Sequence, residues 1–267
     1  KRVLGELEKM SQNTPERYAE FWKAFGLCIK EGVYQGPGNR DLLLELLRYK
    51  SSSEEGLTTL KAYKDRMGAE QKAIYYLTGG DEQRLRGSPL LEGYKAKGVE
   101  VLIMDDEIDE LVASAIESYQ GVELKAVNRA GAAEEIRTES DAEKEKAIGP
   151  LLEKMKKLLG EAVKDVRASS RLADSPSCIV TDENDPTLQM QRLFKALGQK
   201  DIPAAAPILE VNPAHPIVNR LLDCQDDKLL EDATRLLLEQ ALILEGVPLP
   251  SAAEFTARLN RVLTRAL

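Results

Sequence analysis

The sequence predicts an α+β protein in which helices precede a small α/β layer, and a second mixed region ends in a bundle of helices. Short apolar runs such as VEVLIM (99–104) alternate with helical patterns of roughly 15–20 residues, which is typical of strands joined by crossover helices. The end of the chain instead carries leucine at helical spacing. The hydrophobic fraction of 43% supports packed cores, and the aromatic fraction of 5% makes them mainly aliphatic.

The first half of the chain predicts helices followed by a three-layer α/β subdomain. Pro15 suits the first turn of a helix over 15–34, where large apolar residues recur at helical spacing. After the turn GPGN, leucines predict a second helix over 41–48. The next predicted elements are a helix over 59–67, a strand over 73–79, a helix ending at Gly98, a strand over 99–104, a helix over 107–119 and a strand over 122–127.

A charged stretch over 129–146 predicts a linker between two domains. Its only large aliphatic residue is Ile136, so the stretch cannot bury enough apolar surface to fold by itself. The predicted division is a first domain over 1–128, made of a helical segment (1–58) and the α/β subdomain (59–128), and a second domain over 147–267.

The second domain is predicted to be mixed α/β with helices dominating its end. Its predicted elements are a helix over 147–163, strands over 163–170, 175–182 and 207–212, and helices over 215–225, 227–246 and 251–267. Ser251 is a plausible N-cap of the last helix, and Gly246, Pro248 and Pro250 separate it from the one before.

Charge and cysteine usage exclude several classes of protein. The net charge of −8 argues against a nucleic-acid-binding face, because phosphate contacts need clustered Lys and Arg. Cys28, Cys178 and Cys224 share no metal-ligand spacing, which indicates a reducing compartment and predicts a cytoplasmic protein. No apolar run approaches the roughly 18 residues that a membrane span needs. The charged, amphipathic start begins inside a helical pattern, and we interpret the chain as a fragment of a longer protein.

Catalytic, cofactor-binding and metal-binding residues are not predicted. The only histidine, His215, stands between prolines, where a loop or helix-start role is commoner than catalysis. TGGDEQ (78–83) lacks the rest of a phosphate-binding motif and is interpreted as a turn. The acidic run from Asp105 to Glu110 is interpreted as a solvated turn before a helix. The alternative is an enzyme subunit whose carboxylate site is completed by another chain.

With no catalytic or metal-binding site predicted, the most informative feature of the sequence is the apolar surface of its predicted helices. In DENDPTLQMQRLFKALG (182–198), an acidic loop precedes an amphipathic segment that is either a core helix or a contact surface, and its pattern alone favours core packing. The segment's apolar residues are Leu188, Met190, Leu193, Phe194 and Leu197.

The last two predicted helices carry long apolar stripes. These stripes must be buried against the rest of the domain or against a second copy of the chain, and the pattern does not decide between the two. The stripe residues are Leu230, Ala233, Leu237, Ala241 and Leu244 in the first helix, and Phe255, Leu259, Val262, Leu263 and Ala266 in the second.

Several long motifs resemble the heat-shock protein 90 family of molecular chaperones, in family order along essentially the whole chain. They are FWKAFGLCIKEGVYQGPGNRDLLLELLRYKSS (21–52), IYYLTGG (74–80), RGSPLLEGYKAKGVEVLIMDDEIDE (86–110), SSRLADSPSCIVT (169–181) and LEVNPAHPI (209–217). The ending at TRAL, without a charged tail, is similar to the bacterial branch of the family, and a mitochondrial member is the alternative.

The resemblance implies that this chain is the later part of the middle domain followed by the C-terminal dimerisation domain. The N-terminal domain that binds ATP and Mg²⁺ would be absent, and so would the middle-domain arginine that assists hydrolysis. The resemblance therefore implies that the intact protein is a weak, ATP-dependent enzyme and that this fragment is not.

The resemblance also implies partners and site residues. It implies a homodimer that binds unfolded or partly folded client proteins, and a purely structural dimerisation module is the alternative. The client-binding positions would be Leu188, Met190, Leu193 and Phe194, with Glu110, Leu111 and Ser114 as a second patch. The dimerisation positions would be Leu230, Leu237, Ala241, Leu244, Leu259, Val262 and Leu263.

Overall fold

The computed structural model describes residues 2–196, 198 and 205–266, which fall into two compact units. Unit 1 comprises Lys1–Arg86 and Gly98–Ala126, and unit 2 comprises Gly87–Lys97 and Val127–Leu267. The helices are α1 (Arg2–Asn13), α2 (Pro15–Gln35), α3 (Arg40–Leu46), α4 (Leu60–Arg66), α5 (Glu82–Arg86), α6 (Glu92–Ala96), α7 (Asp109–Ala115), α8 (Glu139–Leu159), α9 (Leu188–Ala196), α10 (Pro216–Leu222), α11 (Asp227–Leu244) and α12 (Ala252–Ala266). The strands are β1 (Tyr49–Ser51), β2 (Leu57–Thr58), β3 (Ala73–Thr78), β4 (Val101–Met104), β5 (Ser118–Tyr119), β6 (Val122–Ala126), β7 (Asp165–Ala168), β8 (Ser177–Val180) and β9 (Ile208–Val211).

Unit 1 contains a mixed sheet with the strand order β2-β1-β4-β3-β6-β5. Its centre is parallel: β3 pairs with β4 in the register Tyr76↔Leu102 and with β6 in the register Ile74↔Leu124. The predicted α/β layer with crossovers is therefore confirmed. The sequence of β4 is an unbroken apolar run, which fits a strand whose four residues are all buried.

Three short strands of unit 1 were not predicted: the edge strands β2 and β5, and β1, which lies between β2 and β4. β1, β2 and β5 span only two or three residues each, too few to show an alternating pattern. The predicted helix over 107–119 was too long, since α7 ends at Ala115. The chain then forms a hairpin through Gln120 and Gly121, whose positive φ values of 46° and 80° suit a two-residue turn.

The helices of unit 1 pack against the sheet around buried aromatic residues. Tyr18 of α2 is 1% exposed, and its hydroxyl donates a hydrogen bond of 2.6 Å to the carbonyl of Leu46. The guanidinium of Arg48 lies 4.5 Å from the centre of the same ring, a cation–π contact. Because burial outweighs the influence of Arg48, the pKa of Tyr18 is raised to about 12.

A buried lysine links α2 to the start of α7. The ammonium of Lys30 lies 2.6 Å from Asp106 and 2.7 Å from Asp109, although Lys30 is only 3% exposed. Burial raises the pKa of Asp109 to about 6, even though Lys30 favours the charged carboxylate. The acidic run from Asp105 to Glu110 is therefore not simply a solvated turn, because part of it lies inside unit 1.

Unit 2 is built on a small sheet with the order β7-β9-β8. The central strand β9 is parallel to β7 and antiparallel to β8, in the registers Leu209↔Val166 and Leu209↔Ile179. Helices α8, α10 and α11 cover one face, where their aliphatic residues form a single core with Leu209 and Val211. The predicted mixed α/β character of this region is confirmed.

The contacts divide the chain differently from the predicted linker. Residues Ala130–Ile136 form a short 3-10 helix whose alanines and Ile136 are buried in unit 2. Helix α8 begins at Glu139, where Thr138 and Asp141 form a capping box, so the stretch over 129–146 is structured. The linker prediction was wrong because it counted only large aliphatic residues, whereas the buried alanines also contribute apolar surface to the core.

The segment Gly87–Lys97 also belongs to unit 2, which the sequence did not indicate. One oxygen of Glu92 accepts hydrogen bonds from the backbone N–H groups of Ala173, Asp174 and Ser175 at 2.8–3.1 Å. The N–H of Gly93 donates to the carbonyl of Arg171 at 2.6 Å. A Cβ on Gly93 would lie 2.8 Å from the backbone of Arg171, so this close approach requires glycine.

A buried ion pair lies on the opposite side of β9 from the aliphatic core. Glu210 is 1% exposed and Arg171 is fully buried, with 2.9 Å between the Nε of Arg171 and the carboxylate. Arg167 and Ser169 also donate hydrogen bonds to this carboxylate. Burial would raise the pKa of Glu210, but Arg171 and Arg167 outweigh it and hold the pKa below its usual value.

Glu210→Gln should lower the free energy of unfolding of unit 2 by about 3 kcal/mol, because it leaves the buried Arg171 charge without its counter-charge. Urea unfolding followed by far-UV circular dichroism measures the change. The matched control is Glu123→Gln, which removes an exposed carboxylate of β6 and should stay within about 0.5 kcal/mol of the original protein. Equal stabilities for the two variants would contradict the importance of the buried pair.

Asp109 should make unit 1 less stable as the pH rises from about 4 to 6. Its folded-state pKa of about 6 exceeds the ordinary value of 3.8, so the folded state binds more protons than the unfolded state in this window. In Asp109→Asn, this part of the pH dependence, about 2–3 kcal/mol, should be missing. Urea unfolding followed by Trp22 fluorescence at several pH values measures it, with the exposed Asp41→Asn as control. Identical pH profiles for Asp109→Asn and the original protein would contradict the prediction.

Candidate functional site

Helix α9 presents the predicted client-binding residues on two different faces. Leu188 packs against the aliphatic core of unit 2, so it serves the fold. Met190, Leu193 and Phe194 follow at helical spacing and are each partly exposed. Leu197 lies outside the described residues. The helix therefore has one side packed against the core and another apolar side that is partly exposed to water. The sequence pattern alone did not show which apolar residues lie on which side.

Polar contacts fix α9 from its N-terminal end. Thr187 caps the helix, since its hydroxyl accepts a hydrogen bond of 3.0 Å from the N–H of Met190. The buried side chain of Gln191 donates to the carbonyl of Pro186 at 3.0 Å. Because these contacts hold the back of the helix, the partly exposed face has a defined orientation.

The acidic loop before α9 is anchored as well. Arg129 donates to the carbonyl oxygens of Asp182 and Asp185. Lys164 lies 3.1 Å from the carboxylate of Asp182 and 2.7 Å from that of Asp185. Local sequence patterns do not indicate Arg129 or Lys164 as partners of this loop, because both are distant from it along the chain.

The second predicted client patch lies on α7 in unit 1. Glu110 is partly buried and accepts a hydrogen bond from the hydroxyl of Thr78. Leu111 is partly exposed, and Ser114 is exposed with its hydroxyl bonded to the carbonyl of Leu111. The patch therefore offers one partly accessible aliphatic side chain, less apolar area than α9 presents.

The predicted dimerisation residues also separate into two groups. Leu230, Leu237 and Ala241 are 4%, 3% and 1% exposed because they belong to the core of unit 2. Leu244 at the end of α11 is 45% exposed, Val262 is partly exposed, and Leu259 and Leu263 of α12 are 37% and 47% exposed. The adjacent Ile243, 45% exposed, was not among the predicted residues.

Ion pairs hold α12 against α11. Arg258 pairs with Glu239, Arg265 pairs with Asp226, and Arg261 donates two hydrogen bonds of 2.7 Å to Asp232. These bonds lower the pKa of Asp232. Burial raises the pKa of Glu239 even though Arg258 opposes it. Three arginines at helical spacing were visible in the sequence, but their carboxylate partners on the preceding helix were not identified.

The N-terminus of α12 is capped as the sequence indicated. The hydroxyl of Ser251 accepts a hydrogen bond of 3.3 Å from the N–H of Glu254. His215 likewise begins α10, where its Nδ1 accepts from the N–H of Ile217 at 3.2 Å. The interpretation of His215 as a helix-start residue is confirmed.

Asp109 is the carboxylate that best matches the alternative of an enzyme subunit, since burial raises its pKa. It is fully buried, however, and Lys30 lies against both of its oxygens at 2.7 and 2.8 Å. Asp105 is paired with Lys50 at 2.6 Å. Both carboxylates are therefore engaged in ion pairs with lysines.

The described residues contain neither a metal-binding cluster nor a membrane-spanning helix. Within residues 2–196, 198 and 205–266, no group of three or more His, Cys, Asp or Glu side chains is placed to hold a metal ion. None of the described helices is both long and apolar enough to cross a membrane. Cys28, Cys178 and Cys224 are all free thiols.

Comparison with known proteins identifies the family. The family model for the Hsp90 protein matches residues 1–267. Chaperone protein HtpG of Treponema denticola is 48% identical over 272 residues, covering 99% of this chain and 42% of that protein. The HtpG proteins of Treponema pallidum and Aliarcobacter butzleri are 42% and 45% identical, over 99% and 100% of this chain and 43% and 42% of their own lengths.

The chain thus spans about 42% of the length of these relatives. The match of the family model runs through both units, and the motifs that suggested the resemblance lie in both. The resemblance stated from the sequence is confirmed. The chain belongs to the Hsp90 protein family.

Proposed function

We propose that this chain is part of a molecular chaperone, in which it joins two protomers and binds unfolded or partly folded client proteins. The observation that carries the proposal is the apolar surface left on α11 and α12: Ile243, Leu244, Leu259 and Leu263 are each 37–47% exposed. Large apolar side chains that remain exposed on folded helices are typical of an interaction site. The relatives are each named a chaperone protein, which supports the same proposal.

The first partner we propose is a second copy of the chain. Each of these half-exposed aliphatic side chains would contribute on the order of 1 kcal/mol when a partner covers it. A two-fold interface uses each residue twice, so eight side chains approach the association cost of about 4–15 kcal/mol. The ion pairs between α11 and α12 support the proposal because the apolar surface is already ordered before association.

The second partner we propose is an unfolded client segment on α9. Met190 and Phe194 combine a flexible thioether with an aromatic ring, which suits a surface that adapts to different sequences. Leu193 completes the partly exposed face. Leu188 is omitted from this proposed site because it packs into the core. Leu111 with Ser114 and Glu110 is proposed as a weaker second contact.

The chemistry of the whole protein is part of the proposal. ATP with Mg²⁺ would act in a domain outside these residues, and its hydrolysis would change how two joined protomers hold a client. The described residues would contribute apolar contacts and would hold the two protomers in position, and they would carry out no covalent step.

A purely structural dimerisation module is the second candidate. Partial burial favours it, since Met190, Leu193 and Phe194 each have much of their surface covered within unit 2. The two candidates differ in whether unfolded protein binds to the isolated chain.

The chain should form a dimer that charges on α12 disrupt. Leu259→Glu with Leu263→Glu should raise the dimer dissociation constant at least about a hundredfold, because carboxylates would be buried in an apolar interface. Sedimentation equilibrium over a wide concentration range measures this. Leu222→Glu, at a 38% exposed leucine of α10, is the control and should leave the dimer intact. A double variant that still sediments as a dimer would place the interface elsewhere.

Polar substitutions on α9 should weaken client binding and leave the dimer intact. Met190→Ser with Phe194→Ser should reduce affinity for a chemically unfolded protein about five- to tenfold, since two apolar contacts are lost. Fluorescence anisotropy of the labelled client measures the affinity. Ile217→Ser, at a 45% exposed position of α10, is the matched control. An unchanged affinity in the double variant would favour the structural module.

A further inference from the structure

Helix α12 is attached to unit 2 without contributing to its apolar core. None of residues 252–265 is buried, whereas α8, α10 and α11 each bury at least two aliphatic side chains. The aliphatic core of the described part of unit 2 contains residues of those three helices and of the sheet, and none of α12. The departure of α12 would therefore remove no side chain from this core and leave no cavity in it.

Charge pairs attach α12 to α11 instead, and one of them lies at the surface. Arg265 and Asp226 are each about half exposed, so water screens their attraction. A pair of this kind changes an equilibrium about fivefold or less. Arg261 donates two hydrogen bonds of 2.7 Å to the buried Asp232, although its own side chain is 46% exposed.

The third pair combines attraction with a cost. Arg258 pairs with Glu239, and both side chains are largely buried. Burial raises the pKa of Glu239, even though Arg258 favours the charged carboxylate. One oxygen of Glu239 is buried and has no hydrogen-bond partner among the described residues. Such a group opposes the docked position of α12, so the net stabilisation of that position is small.

Each helix also holds a substitute partner for these charges. On α11, the ammonium of Lys228 lies 3.5 Å from Asp232. On α12, the guanidinium of Arg258 lies 2.6 Å from Glu254, one helical turn earlier. If the two helices separate, Asp232 and Arg258 each keep an opposite charge on their own helix, which lowers the cost of separation.

The connection over 245–251 leaves each helix with its own termination. Gly246 has a positive φ of 66°, and its N–H donates to a carbonyl of the last turn of α11. Pro248 and Pro250 are exposed and cannot continue a helix without breaking its hydrogen bonds. Ser251 caps α12 from within the connection, so the cap moves with the helix.

We propose that α12 is a detachable arm, which leaves α11 as one unit by breaking its three ion pairs while the rest of unit 2 stays folded. Most chains carry the arm docked at any moment. Only the docked arm holds Leu259 and Leu263 in position to contact a second copy, so the ion pairs within one chain regulate its association. This consequence rests on the proposed dimer, whereas the arm itself does not.

Hydrogen–deuterium exchange of the full chain measures release, because the backbone N–H groups of α12 exchange when the helix opens. An isolated helix of 15 residues is marginal in water, so a released arm exposes these groups. They should exchange at least about a hundredfold faster than those of β9. The measurement is made at low concentration and in Leu259→Glu with Leu263→Glu, so that a second copy does not mask release. Equal exchange in α12 and β9 would overturn the proposal.

Arg261→Gln tests whether the ion pairs control release. It removes two hydrogen bonds to a buried carboxylate and should speed exchange of α12 about tenfold, with β9 unchanged. Residues on both sides of position 261 should respond equally, because the arm leaves as one unit. No acceleration, or acceleration confined to residues after 261 as in fraying of the helix end, would overturn the proposal. Arg220→Gln, at an exposed arginine of α10, is the matched control and should leave α12 unchanged.

Exchange at several chain concentrations separates the arm from the proposed dimer. If only the docked arm associates, exchange of α12 should slow about tenfold or more as the concentration rises above the dimer dissociation constant. A chain that stays monomeric, with fast exchange of α12 at every concentration, would overturn the dimer and leave the arm as expected. A chain that sediments as a dimer without slower exchange of α12 would overturn the dependence of association on the docked arm.

Discussion

The organisation of unit 2 depends on the buried pair between Arg171 and Glu210. A charge removed from water is tolerated only when its remaining hydrogen-bonding groups are satisfied. The other guanidinium nitrogens of Arg171 meet this condition by donating to the carbonyls of Val127, Arg129 and Ala130. One ion pair therefore fixes the segment after Ala126 to the central strand β9. It also explains why the alanine-rich stretch that follows is ordered despite its charged composition.

The same pair determines which surfaces remain apolar. Side chains alternate along β9, so Glu210 faces the polar network while Leu209 and Val211 face the aliphatic core. Helix α11 covers that core with Leu230 and Leu237, so these two leucines of its apolar stripe are buried within unit 2. The exposed apolar side chains of α11 and α12 lie beyond this core, at the end of α11 and on the outer face of α12.

The main elements could be predicted because the hydrophobic periodicity of helices, and the continuous apolar runs of buried strands, can be recognised in one sequence. It placed α2, β3, β4 and the order of the last three helices correctly, and motifs in both units identified the family. It did not separate buried from exposed positions in a leucine-rich helix such as α11, because leucine serves both. It also missed contacts between distant residues, such as Arg129 with the loop at Asp182 or Glu92 with Ser175, since no local pattern encodes them.

The orientation of α12 follows from charge. Arg258, Arg261 and Arg265 recur at helical spacing and pair with carboxylates of α11 or of its N-cap, so this side of α12 turns towards α11. Leu259 and Leu263 consequently lie on the outer side. Because Asp232 and Glu239 are largely buried, their ion pairs are screened less by salt than surface pairs are. The outer face of α12 is thus ordered by ion pairs within unit 2 itself.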